Sequence, residues 1–171
     1  MDGQLPKEGA ILVGAPHTSN WDFPLMLMMA GRMGIKLRFL AKNSLFWWPL
    51  GPLLKALGGI PVDRTSSRGL VHDMAETLEE HPGSFLAITP KGTRKQRDYW
   101  RSGFYRISQE SGVPLLLASV DSKTHTIEIG PTLYPTGDMA ADMQIVRDFY
   151  AGKVGVRPEL TSVPRLRGEE E

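Results

Sequence analysis

The sequence predicts a single α/β domain with a central mixed, partly parallel sheet flanked by helices. Short apolar runs alternate with stretches whose apolar residues return every three or four positions. Gly and Pro mark most of the junctions between them. The chain has 171 residues, 41% hydrophobic and 23% charged, enough to bury one core without staples. No internal repeat and no linker divides it, so 10–151 reads as the domain, 1–9 as a short leading tail and 152–171 as an irregular closing tail.

The elements follow in order. Residues 11–15 form a short buried strand, and 21–33 a helix with Leu25, Met28, Met29 and Arg32 at helical steps. A second strand spans 37–41, after which Ser44 caps a helix running to Leu57. Gly58-Gly59 stops it, and 60–62 is extended. Ser66 or Ser67 opens the next helix, which carries Leu70, Met74, Thr77 and Leu78 on one face and ends at His81-Pro82-Gly83. Residues 84–89 read as a strand, 102–111 as a helix with Phe104 and Ile107 inward, and 113–120 as a strand. The alternation at 124–129 suggests an edge hairpin, and 140–150 is the last helix.

Composition excludes several kinds of chemistry. There is no cysteine, so disulfides, thiolate catalysis and sulfur-bound zinc are ruled out, and a reducing cytoplasm fits. The first eight residues have neither the basic end nor the apolar stretch of a secretory signal. The most apolar windows, 23–35 and 45–62, are broken by Arg32, by Lys55 and by Pro and Gly, short of the roughly 20 apolar residues of a spanning helix. A net charge of +1 gives no general attraction to nucleic acid, and no such partner is expected. His17, His72, His81 and His125 are scattered without ligand spacing, so no metal is expected.

Functional groups collect where strands end, the usual place for sites in α/β folds. His17-Thr18-Ser19-Asn20-Trp21-Asp22 follows the first strand. In a turn or helix start, Asp22 can approach one imidazole nitrogen and leave the other free to take a proton from an alcohol. A helix-capping turn with a buried histidine is the competing reading. Lys42 follows the second strand. Arg64 follows Gly58-Gly59-Ile60-Pro61-Val62-Asp63, where a guanidinium fork suits a phosphate and a surface pair with Asp63 competes. The loop Pro90-Lys91-Gly92-Thr93-Arg94 suits an anion but lacks the upstream glycine of a Walker loop.

Residues 91–106 carry a local charge of +5 with Tyr99, Trp100, Phe104 and Tyr105 interleaved. Such a patch fits an acidic carrier, coenzyme A phosphates or anionic lipid headgroups. The run Leu45-Phe46-Trp47-Trp48-Pro49-Leu50 is apolar on too many sides for a short surface helix. It fits a membrane interface, an acyl-chain groove or burial under the sheet. A histidine base, cationic sites and an apolar groove together point to acyl transfer onto a hydroxyl of a phosphorylated amphiphile.

With these motifs the chain resembles the glycerolipid acyltransferase family that includes 1-acylglycerol-3-phosphate acyltransferases, over about residues 11–150. His17 and Asp22 match the family's His-x4-Asp. Gly58 to Arg64 resembles its second block, Pro90-Lys91-Gly92-Thr93-Arg94 its Pro-Glu-Gly-Thr-Arg, and Val113-Pro114-Leu115 its fourth. The resemblance implies a glycerol-3-phosphate acyltransferase-like fold and a place in phospholipid biosynthesis. It implies fatty acyl transfer from acyl-CoA or acyl-carrier protein to a lysophospholipid hydroxyl, with no cofactor beyond that co-substrate. His17 would be the general base and Asp22 its orienting partner. Arg64 or Lys42 would hold the acceptor phosphate, and Gly92, Thr93 and Arg94 would make the remaining contacts. Localisation would be cytoplasmic and peripheral, at the inner face of the membrane.

Two departures stand out. Lys91 replaces the motif glutamate, which reads either as an added phosphate contact or as the mark of a non-catalytic lipid- or acyl-binding relative. The family's amphipathic N-terminal membrane helices find no match ahead of the first expected strand, so docking is expected to rest on 45–54 and the basic patch. An esterase or thioesterase is a weaker alternative, because no Gly-x-Ser-x-Gly elbow occurs.

Overall fold

The computed structural model describes residues 5–62 and 69–169. Its centre is a six-stranded sheet in the order β3-β2-β4-β1-β5-β6. The strands are β1 (Ala10–Ala15), β2 (Lys36–Lys42), β3 (Gly59–Val62), β4 (Ser84–Ile88), β5 (Leu115–Asp121) and β6 (Thr126–Leu133). All neighbours pair in parallel except β5 with β6, which are antiparallel. The helices are α1 (Asp22–Met33), α2 (Leu50–Ala56), α3 (Leu70–Glu80), α4 (Gly103–Ser111) and α5 (Met139–Tyr150).

Strand side chains alternate between the two faces, and the central strands are apolar on both because both faces are covered. On one face Ile11, Val13, Leu86, Leu115 and Leu117 pack with Met74 and Leu78 of α3, Phe104 and Ile107 of α4, and Met143 and Val146 of α5. On the other, Ala10, Leu12, Phe39, Phe85, Ala87 and Leu116 meet Met29 of α1 and Leu54 of α2. The inward stripe of α1 is Phe23, Met26, Met29 with Ala30, and Met33, while Met28 is exposed. This corrects the stripe expected through Leu25, Met28, Met29 and Arg32, of which Met29 alone is buried. Leu and Met repeat so often in this helix that the sequence offers two phases, and packing against the sheet chooses one.

Two further expectations are refined, and a third falls outside the described residues. The single helix from Ser44 to Leu57 is instead a 3₁₀ turn, Asn43–Leu45, followed by α2, and Ser44 caps neither. Pro49 has no N–H to extend a helix and disfavours helical geometry at the preceding residue, so the helix starts after it. The edge hairpin extends to Leu133 rather than stopping at 129. The start of α3 near Ser66 and Ser67 lies outside the described residues; the helix begins at Leu70 behind Gly69.

The segment after α5 is irregular, with two short 3₁₀ turns, and it packs against the domain. Ser122 Oγ donates to the Gly155 carbonyl at 2.5 Å, and Val154 N–H donates to Asp121 Oδ1 at 3.2 Å. Further on, Trp100 N–H donates to the Arg165 carbonyl at 2.7 Å. Leu166 is buried in the α3–α4–α5 face, and Glu169 pairs with Arg147. No helix among the described residues is long and apolar enough to cross a membrane.

Candidate active site

β1 ends at Ala15, and the chain turns through Pro16 to His17 before α1 begins at Asp22. A carboxylate in the first helical turn sits at the positive end of the helix dipole, which favours its charge. Asp22 Oδ2 accepts the backbone N–H groups of Thr18 and Ser19, each at 2.9 Å. His17 Nδ1 also lies 2.9 Å from that oxygen, off the line of a good hydrogen bond, and is buried with no other partner. Contacts between catalytic groups are often poorly aligned before substrate arrives. Burial opposes the charge on Asp22, but the His17 ring and the Ser19 and Thr18 N–H groups outweigh it and hold the carboxyl below its ordinary value.

His17 and Asp22 open onto a cavity of about 450 Å³. One wall is the sheet, through Leu12, Phe39, Ala41, Ala87 and Ala118; the other is Phe23, Met26 and Met29 of α1, with Leu54 of α2 nearby. At Gly14 the wall is recessed, for a Cβ there would meet nothing within 4 Å. Two exposed cations, Lys42 at the end of β2 and Arg94 after β4, also line it. The space thus combines an imidazole–carboxylate pair, an apolar chamber and two positive charges. It can hold a hydrocarbon chain with an anionic head and bring a proton acceptor to the junction.

The sequence profile of the acyltransferase family matches residues 2–120. The chain belongs to that family. It is a family of 1-acylglycerol-3-phosphate acyltransferase-like glycerolipid enzymes, so this chain is an acyltransferase, acting in general terms on an acyl donor and a lipid acceptor. No curated protein is matched by the chain.

The acyltransferase brings His17, Asp22, Lys42 and Arg94 to one cavity. Gly92 and Thr93 do not line it; they precede Arg94 in the third-motif loop. Gly92 N–H donates to the Thr89 carbonyl at 2.9 Å, and its φ of +65° suits glycine. Thr93 Oγ1 accepts Lys95 N–H at 3.2 Å. Lys91 does not line the cavity. It is 3% exposed, and its ammonium donates to the Leu160 carbonyl at 2.7 Å. Burial pushes that ammonium below its ordinary value, with the Asp22 charge pulling the other way. Arg64 and Asp63 lie outside the described residues.

The acyltransferase also places beside the cavity residues that sequence reasoning passed over. Thr18 is 1% exposed and sits between Asp22 and the segment after α5, donating its N–H to the carboxylate and accepting Arg157 N–H at 3.1 Å. Its place inside His-x4-Asp was visible, but its distant partner was not. The apolar wall comes mainly from α1 and the sheet rather than from 45–54, of which only Leu45 and Leu54 contribute. Trp47 and Trp48 are 59% and 81% exposed, which removes burial under the sheet as their role.

Proposed function

We propose that this acyltransferase moves a fatty acyl group from acyl-CoA or acyl-carrier protein to a hydroxyl of a lysophospholipid such as 1-acylglycerol-3-phosphate. The observation that carries this reading is the opening of His17 and Asp22 onto an apolar cavity lined by Lys42 and Arg94. With Nδ1–H turned toward Asp22, His17 Nε2 has a lone pair for the acceptor hydroxyl. The hydroxyl oxygen attacks the thioester carbonyl as Nε2 takes its proton. The tetrahedral intermediate then expels the thiolate, which receives that proton. One C–O bond forms, one C–S bond breaks, and ester and free thiol leave. Asp22 stabilises the transient imidazolium, Lys42 and Arg94 offset phosphate charge, and the chamber takes the acyl chain.

The lipid acceptor calls for access to a bilayer. Exposed Trp47, Trp48, Leu53 and Leu57 would enter the interface, and Lys95, Arg97 and Arg101 would face anionic headgroups. In this reading the protein is cytoplasmic and peripheral at the inner face of the membrane. The test pairs acyl-CoA and acyl-carrier protein donors with a panel of lysophospholipids, reading ester formation and thiol release. His17→Ala should lower turnover by about 10²–10⁴ with the thermal midpoint kept. Undiminished turnover in that variant defeats the mechanism. Lys91 in place of an acid favours a second reading, a lipid-binding relative without turnover. Acyl-CoA binding by the parent with no ester formed on any acceptor would select it.

A further inference from the structure

Lys91 and the segment after α5 meet beside the catalytic turn. Gly155 is buried against Thr18 so closely that a Cβ on it would lie 2.4 Å from Thr18 Oγ1. Two residues later Arg157 N–H bonds that same hydroxyl at 3.1 Å. Three residues beyond, the Leu160 carbonyl takes the Lys91 ammonium at 2.7 Å. His17, Lys91, Trp100 and Ser162 enclose a void of about 10 Å³, room for a single water at most. The acceptor therefore has no path to His17 from this side.

We propose that residues 154–166 form a strap that positions the His17–Asp22 pair, latched by Lys91 and acting through Thr18. The inference rests on the role proposed above for His17. Thr18 is the link: its hydroxyl is held by the strap and its N–H holds Asp22 Oδ2. Movement of the strap is thereby passed to the carboxylate that sets the imidazole. The latch also accounts for the departure from the family motif. A carboxylate at position 91 would turn acceptor oxygens toward the Leu160 carbonyl, whereas an ammonium donates to it. Lys91 and the strap are a matched pair, and Lys91 is a positioning residue rather than an anion contact. The strap's ends are secured separately, at Asp121 and Ser122 and at Trp100 and Leu166, so the latch governs its middle.

The test compares the parent with Lys91→Met, Thr18→Val and Thr18→Ser. It reads amide exchange over 155–162, the His17 tautomer by ring-nitrogen NMR, and kcat and KM for donor and acceptor. Lys91→Met keeps chain length in an apolar setting, so it survives as the deciding arm if Thr18→Val fails to fold. In Lys91→Met, exchange over 155–162 should quicken about tenfold, as for one hydrogen bond lost. The Nδ1–H tautomer of His17 should lose population, and kcat should fall about tenfold through a displaced base, with KM within about twofold. Thr18→Val should reproduce the tautomer and kcat effects, and Thr18→Ser should restore both. Unchanged exchange in Lys91→Met overturns the latch. Faster exchange with a parental tautomer and kcat overturns the positioning role. Higher turnover in Lys91→Glu also refutes the matched pair. If the parent forms no ester, the proposed function fails while the exchange and tautomer arms still decide this inference.

Discussion

Asp22→Asn keeps the size of the side chain and removes its charge, which separates two duties of Asp22 Oδ2. That oxygen faces the N–H groups of Thr18 and Ser19 and the Nδ1 of His17, all at 2.9 Å. An amide oxygen in the same place still accepts the two backbone donors, at about half the strength of a carboxylate. Since the group is partly exposed to water, the loss of stability should be about 1–2 kcal/mol. The catalytic loss should be larger. A neutral amide cannot offset an imidazolium and does not enforce the Nδ1–H tautomer, so turnover should fall by about 10²–10⁴, or roughly 3–5 kcal/mol of barrier. The sign with pH follows from the lowered carboxyl of Asp22. Its stabilising effect is complete above the unfolded-state value near pH 4 and fades as pH falls through the lower folded-state value. The stability gap between parent and variant should close over that range. Urea melts at several pH values and continuous thiol release measure the two effects. A variant with parental turnover refutes the pairing argument, and a stability loss larger than the barrier change reduces Asp22 to a clamp on the turn.

Gly14→Leu places a side chain in the open recess of the cavity wall. It should shift donor preference to shorter chains, by about fourfold for each methylene displaced at about 0.8 kcal/mol, as read by competition between donors of graded length. Trp47→Ala with Trp48→Ala should weaken binding to anionic vesicles by about tenfold or more, while turnover on a short-chain donor and a monomeric acceptor holds. Vesicle cosedimentation at two salt concentrations separates the aromatic contribution from that of the basic loop, because only the latter weakens with salt.

Much of the architecture was readable because β1, β4 and β5 are mostly apolar and each is bordered on at least one side by Gly or Pro. The run Ala10-Ile11-Leu12-Val13 has one reading in an α/β pattern, and strand alternation then assigns its faces. The closeness of His17 and Asp22 was readable too, since a turn between strand and helix brings positions 17 and 22 together whatever surrounds them. The cavity was not. Its walls join residues from β1, β2, β4, β5 and α1, and linear order carries no signal of which gaps between elements stay open. The phase of α1 was hidden by apolar residues on two sides of the helix. The contacts at Leu160 and Arg157 lay deepest, because a carbonyl and an N–H are present at nearly every position and reveal nothing of their partners.

The two walls of the cavity differ in character. Across from the sheet, whose strands are locked in register, stand Met26 and Met29, unbranched thioethers that change rotamer at little cost. A rigid floor under a compliant roof lets the chamber follow a kinked hydrocarbon as readily as a straight one without shifting backbone. The same sulfurs are a liability under oxidants, since a sulfoxide on either would bring a dipole into a greasy enclosure and spoil it for the acyl chain proposed to enter it.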